Sequence, residues 1–160
     1  MNKLTILFFL FISTVPLTYA NEPVSAQDSI QDLFDSYMVK YNRYIKEQKL
    51  PSEPELYQNT VMLISNSKPS SAVSAIDFNR QVTAFLDSLI HQGVTYVTWE
   101  SVDIQMLDSN IAIVRNVAVR YKKSGEVLNR VGATYFVSKV SNKWLIAAFA
   151  IHDPSSNKPI

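Results

Sequence analysis

An α+β fold, with two long helices and a short strand packed on a curved four-stranded antiparallel meander, follows from three features of the sequence. Apolar residues recur twice at helical spacing before Gly93. After Gly93 the spacing changes from 3.6 to about 2, the period of a half-buried strand. Short turn-rich stretches then divide the remainder into four runs rich in Val, Ile, Thr, Tyr and Trp. Helices and strands segregated in this way imply two packed layers, with the helices on one face of the sheet.

The chain begins with the pattern of a secretory signal. Lys3 supplies a positive start, Leu4 to Ile12 is apolar except for Thr5, and Thr18-Tyr19-Ala20 sets small residues before a cut after Ala20. A membrane anchor is the competing reading. The apolar run is shorter than the ~20 residues a spanning helix needs, and Pro16 interrupts it. Residues 1–20 are therefore expected to be a signal peptide and residues 21–27 a flexible tether. The domain is expected over 28–153, with a tail over 154–160.

The first helix is expected from Asp28, with Gln31 completing an approximate capping box. Ile30, Leu33, Phe34, Tyr37, Met38, Tyr41, Tyr44 and Ile45 form its apolar stripe, and Pro51 and Pro54 end it by Leu50. Glu55 to Tyr57 suits a single turn, Val61 to Ile64 a short strand, and Asn66 to Ser71 a loop. The second helix starts near Ser74, buries Phe78, Val82, Phe85, Leu86, Leu89 and Ile90, and stops at Gly93. The meander strands run Tyr96–Leu107, Ile111–Tyr121, Val127–Val140 and Lys143–His152. Strands this long rarely stay flat, so bulges or strong coiling are expected.

Composition narrows the functional classes. Without Lys3 the 15 basic residues become 14 against 14 acidic ones, a formal net charge of zero. Nucleic-acid binding wants a basic stripe, and a polybasic membrane patch wants a run of like charge; neither is present, and no further span is expected after signal cleavage. There is no cysteine, and the histidines are His91 and His152, so no zinc-ligand spacing exists and no metal or other cofactor is expected. Three glycines make no phosphate loop, and no Gly-x-Ser-x-Gly elbow occurs.

The element order, together with Trp144 opening the last strand in Ser141-Asn142-Lys143-Trp144-Leu145-Ile146, resembles the NTF2-like superfamily. This is the cone-shaped fold of nuclear transport factor 2, ketosteroid isomerase, scytalone dehydratase and the SnoaL-like cyclases. The resemblance covers Asp28 to His152. It implies a pocket between the concave sheet and the helices, and frequent homodimers through the sheet's outer face. Enzymatic members place a carboxylate or histidine base opposite Tyr or protonated Asp donors. After Trp144 this chain reads Leu-Ile-Ala-Ala-Phe-Ala-Ile where many relatives carry polar residues.

Five residues are candidates for a pocket, each with an ordinary structural reading beside the functional one. His152, next to Asp153, has the chemistry of a proton shuttle, but is more often a surface histidine in a strand-to-tail turn. Arg130 shares an alternating face with Leu128, Gly132, Thr134 and Phe136; if that face is concave, it needs Asp103 or an anionic ligand as partner. Arg115 and Asn116 point to opposite faces, so one of them points inward. Tyr41, with Tyr37 and Tyr44, either offers hydroxyls to a ligand or, more commonly at this spacing, belongs to the core. A broad apolar outer face carrying Val117, Val119, Val131 and Val137 would instead mark an interaction surface.

The sequence favours an exported, non-catalytic module, periplasmic or extracellular, that binds a small apolar or anionic ligand or a protein. The alternative is a ketosteroid-isomerase-like or SnoaL-like enzyme carrying out proton transfer or dehydration on a small carbonyl compound.

Overall fold

The computed structural model describes residues 25–65 and 69–156. The expected signal peptide, residues 21–24 of the tether, 66–68 of the loop and 157–160 of the tail lie outside them. The elements are α1 (Ala26–Glu47), β1 (Tyr57–Ile64), β2 (Ser71–Ser74), α2 (Ala75–His91), β3 (Val94–Met106), β4 (Ile111–Lys122), β5 (Val127–Val140) and β6 (Lys143–His152). A 3-10 turn follows at Pro154–Ser156.

Local chemistry places the ends. α1 starts earlier than its Asp28 pattern suggests, because Ser25 is the cap and its side chain accepts from the Asp28 N–H at 3.0 Å. The helix thus takes in Ala26 and Gln27, two residues expected in the tether. Ser74 caps α2 in the same way, accepting from the Asp77 N–H at 3.1 Å. Gly93, at φ 83°, ends α2 with its N–H on the Ile90 carbonyl at 2.9 Å. Ser141 and Asn142 both have positive φ, 48° and 64°, the geometry that lets a two-residue hairpin match strand twist. Asp108 Oδ1 accepts from the Asn110 N–H at 2.7 Å and closes the β3–β4 turn.

The strands make one sheet in the order β2-β1-β6-β5-β4-β3. β1 lies parallel to β6 and every other pairing is antiparallel. The early strand therefore extends the meander's own sheet rather than standing apart from it. It also takes in Tyr57, where a turn was expected. β2 was not expected, since Ser71 to Val73 read as loop and helix approach. It forms because β1 offers a free edge that pairs Val61 with Val73 and Met62 with Ala72. Register shifts interrupt the β3–β4, β4–β5, β5–β6 and β1–β6 pairings, the expected bulges that let long strands coil around the helices.

Register and burial assign the two faces. Rows such as Ile104–Val114–Tyr135–Phe149–Leu63 and Met106–Ala112–Val137–Ile146 turn toward the helices and form the core with Ile30, Phe34, Val82 and Leu86. Rows such as Gln105–Ile113–Phe136–Ala148–Met62 and Asp103–Arg115–Thr134–Ala150–Ile64 form the outer face.

α1 also guards the exposed edge of the sheet. Asn42 Nδ2 donates to the Val97 carbonyl at 2.7 Å, and its Oδ1 accepts from the Val97 N–H at 2.8 Å. One amide thus serves both outward backbone groups of an edge-strand residue. Asn42→Ala leaves both groups without their partner and is expected to cost about 2 kcal/mol. Urea unfolding would read this as a lower midpoint at unchanged slope.

Candidate functional site

The helix-facing side of the sheet is the place to look for a pocket, and its lining is aromatic. Tyr37 and Tyr41 come from α1, one turn apart; Tyr57 opens β1; Tyr135 lies mid-β5. The Tyr41 and Tyr57 hydroxyls are 2.5 Å apart, and the Tyr135 hydroxyl donates to Tyr37 across a long 3.5 Å. Phe34 packs edge-on against Tyr135 and Trp99, at centroid distances of 5.0 and 6.0 Å. Tyr37 meets Tyr41 at 4.3 Å, and Phe78 joins Tyr57 to Phe149 at 4.6 and 5.5 Å. Offset and edge-on contacts of this kind fill space tightly.

Electrostatics follow from that packing. Burial pushes the phenols of Tyr37, Tyr41, Tyr57 and Tyr135 above their ordinary range, most strongly for the last three. They remain neutral hydrogen-bond donors at neutral pH. The Arg120 guanidinium lies near Tyr37 and Tyr135; burial lowers its pKa, and those two phenols oppose the shift. None of the inward-facing sheet rows Met106–Ala112–Val137–Ile146, Ile104–Val114–Tyr135–Phe149, Val102–Asn116–Ala133, Trp99–Ala118 and Val97–Arg120–Asn129 carries a carboxylate or imidazole. Asp87 is the nearby acid on α2, where it accepts from Tyr44 at 2.7 Å and joins the two helices.

The residues singled out from sequence are not brought together. Arg130 lies on the outer face and pairs with Glu100 at 2.9 Å, not with Asp103. Asp103 instead takes Arg115, directly opposite on β4, at 2.6 Å. The Arg130–Glu100 pair joins β5 to β3, so it crosses over β4, where Val117 and Val119 are buried although neither α1 nor α2 covers that face. His152 is also outward. Its ring lies over Gly132, where an added Cβ would approach it to 2.7 Å; Nε2 is 3.0 Å from the Thr134 hydroxyl and Nδ1 is 2.8 Å from the Asp153 carbonyl. Since a carbonyl only accepts, Nδ1 carries the proton.

Asn116 is the inward member of its pair and is fully buried, while Arg115 lies outside. Tyr41 joins the inner cluster as a core residue. The apolar residues named for the outer face divide: Val117 and Val119 lie there, but Val131 and Val137 face inward opposite Ala118 and Ala112. The β5 parity was assigned one residue out of step with β4. Arg120 went unnamed, although alternation from Asn116 places it on the same face.

Two open grooves of about 460 Å³ each flank α1, one by Gln31, Asp35 and Trp99, the other by Asn42, Lys46 and Tyr96. Neither is lined by Tyr41, Asp103, Asn116, Arg130 or His152. Among the described residues no three His, Cys, Asp or Glu side chains cluster as metal ligands, and no helix is long and apolar enough to cross a membrane.

A protein family described as NTF2-like protein (DUF6841) matches residues 26–154. The chain belongs to this NTF2-like family. Solved structures carry the same fold. An NTF2-like protein of unknown function from Shewanella oneidensis MR-1 aligns at 18% identity and TM-score 0.56, over 79% of this chain and 98% of its own. An uncharacterized protein with a cystatin-like fold from Caulobacter vibrioides aligns at 14% and 0.57, over 81% and 92%. An NTF2-like protein from Novosphingobium aromaticivorans aligns at 13% and 0.56, over 78% and 79%. At these identities the likeness is one of fold. No curated protein matches the chain.

Proposed function

We propose that this NTF2-like domain is an exported, non-catalytic interaction module whose outer sheet face receives a second copy of the chain. The observation that carries the reading is the row Ile113–Phe136–Ala148–Met62, which runs unbroken across four strands on the face that neither α1 nor α2 covers. Phe136 is 41% exposed and Met62 47%; Ile64, Ile111 and Val140 add exposed apolar surface beside them. Contiguous apolar surface of this kind marks an interface. The face also carries charges of both signs in its Asp103–Arg115 and Glu100–Arg130 pairs. A two-fold axis brings the same patch onto itself, so acid can meet base across it.

The non-catalytic part of the reading rests on the inner face. Among the described residues, the titratable groups on its inward sheet rows and on the tyrosine cluster are phenols held neutral by burial and one guanidinium, and the nearby carboxylate, Asp87, is taken by the Tyr44 hydroxyl. His152, Asp103 and Arg130, the residues with acid–base or anion-binding chemistry, turn to the other side.

Sedimentation of the purified protein is expected to give a dimer. Phe136→Glu should give a monomer with unchanged circular dichroism, because two carboxylates are then placed in an apolar contact. A wild-type monomer at all concentrations, or a dimer indifferent to Phe136→Glu, would sink the proposal. Export is tested by fractionation: the exported species should have lost residues 1–20 and begin at Asn21.

A further inference from the structure

β3 is an edge strand of the sheet, and α1 protects only part of its free side. Asn42 holds both the N–H and the carbonyl of Val97, so the backbone of Val97 points away from β4. From there through the bulge between Trp99 and Ser101, the register turns the backbone groups of Val102, Ile104 and Met106 outward too, opposite Asn116, Val114 and Ala112. Leu107, next along, turns its N–H back to the Ile111 carbonyl at 2.9 Å, as that alternation requires. Among the described residues, no side chain does for Val102, Ile104 and Met106 what Asn42 does for Val97.

The space beside this edge is open. A groove of about 460 Å³ runs between α1 and β3, bordered by Gln31, Asp35 and Met38 on the helix and by every residue from Thr98 to Val102 on the strand. Successive strand residues point to alternate faces, so a groove touching all of them follows the edge of the strand, not one face. It lies at the sheet's margin, and Tyr37, Tyr41, Tyr57 and Tyr135 do not line it. An unpaired edge with room beside it is a template for an added strand.

Charge selects the occupant. β3 and the turn after it, residues 94–110, carry Glu100, Asp103 and Asp108 and no lysine or arginine. On α1, Asp28, Asp32 and Asp35 are exposed and no basic residue precedes Lys40. Asp28, Gln31, Asp35, Met38 and Asn42 recur at helical spacing, so they form one stripe along the groove's side of the helix. Glu100 and Asp103 are matched by Arg130 and Arg115. Asp35 accepts from the Gln31 amide at 2.9 Å and has no basic partner among the described residues. A second copy added edge to edge would set two acidic margins side by side, which is unfavourable. A basic segment is attracted to the same margin.

We propose that the β3 edge over Val102–Met106, with the groove that continues it, takes up an extended basic segment of another protein as an added strand. Its main chain pairs with Val102, Ile104 and Met106. Alternate side chains, lysine or arginine, turn toward Asp28 and Asp35 of α1, and the intervening ones lie beside Ser101, Asp103 and Gln105. The site is at the margin of the sheet and does not depend on the outer-face row.

The probe is an end-blocked peptide of alternating lysine and threonine, long enough to span Val102–Met106, titrated into the purified protein and followed by nuclear magnetic resonance. It is expected to bind and to slow amide exchange at Val102, Ile104 and Met106. The same peptide with glutamate in place of lysine should not bind. Nor should an N-methylated form, which keeps the charge and lacks the main-chain donors. Asp35→Lys, at an exposed helix position, should weaken binding of the lysine peptide about fivefold. Ile104→Pro removes an outward N–H and no hydrogen bond of the sheet, so it should abolish binding; if that variant fails to fold, Asp35→Lys decides. No binding, binding that survives N-methylation or is unchanged in Asp35→Lys, or protection confined to other strands would each overturn the proposal. Protection of the same amides that grows with protein concentration in the absence of peptide would give the edge to a second copy and overturn it as well. Sedimentation reads the outer-face dimer separately, so failure of one reading is distinguishable from failure of the other.

Discussion

Phe34→Ala is expected to destabilise the protein by about 3–5 kcal/mol, the range for deleting a fully buried phenyl ring. Phe34 is 0% exposed and joins α1 to two strands of the inner sheet face, through Trp99 on the edge strand β3 and Tyr135 on the interior strand β5. Its backbone carbonyl also accepts from Trp99 Nε1 at 3.0 Å, so the ring and the main chain hold the same partner. The substitution removes the ring and leaves its neighbours anchored by their own contacts, so little collapse can refill the space. For a domain of this size the melting temperature should fall by roughly 10–20 °C. The result also reads the state of the inner face. A packed aromatic wall gives the full penalty, and the new apolar cavity should bind benzene with partial recovery of stability. A loss below about 1 kcal/mol would mean that Phe34 already borders empty space.

Raising the pH above 10 is the second perturbation expected to act on the whole domain. Tyr37, Tyr41, Tyr57 and Tyr135 have folded-state pKa values above the ordinary one, chiefly through burial; Tyr44 is raised by its hydrogen bond to Asp87. A group whose pKa is higher in the folded state contributes stability that is complete below its unfolded value, about 10 for tyrosine. That stability is lost as the pH rises toward the folded value. Each phenol kept protonated costs about 1.4 kcal/mol per pH unit above 10, and several act together. Lys40 works in the opposite sense. Its burial against the Ser52 and Pro54 carbonyls lowers its pKa, so deprotonation adds stability between its folded value and that of the unfolded chain. One lysine does not offset the phenols. The part of the tyrosinate absorbance that belongs to these buried phenols should therefore appear together with the loss of the far-ultraviolet circular dichroism, in one cooperative step. Gradual ionisation of the cluster near pH 10 with an unchanged backbone signal would contradict this account.

Much of the architecture was legible because it rests on short-range rules. The 3.6 spacing from Ile30 to Ile45 and the alternation after Gly93 reflect which side of an element is buried, and both survive in the structure as α1 and the meander. Turns at Asp108–Asn110 and Ser141-Asn142 were readable from side chains that bond their own backbone or tolerate positive φ. β2 was not readable. Four residues of Ser, Ala and Val have little preference of their own, and they become a strand because β1 presents an unpaired edge.

The candidate site was much less legible. Alternation states that Arg115 and Asn116 point opposite ways, but which way is inward depends on where the helices pack. Bulges make the problem worse. Between Trp99 and Ser101, and again between Phe136 and Val137, a register shift breaks any parity counted along the chain. Arg130, Asp103 and His152 thus fell on the outer face, while Arg120, in a run that reads Val-Ala-Val-Arg-Tyr, drew no notice.

By itself, then, the sequence determined the elements other than β2, their order, the two-layer class and the family resemblance, because these depend on periodicity, capping and turn chemistry within a few residues. Only the tertiary structure decided which charges pair, which tyrosines meet, and that one arginine faces inward without a carboxylate. Those outcomes depend on the curl of the sheet around α1, a sum of small twists and bulges over six strands.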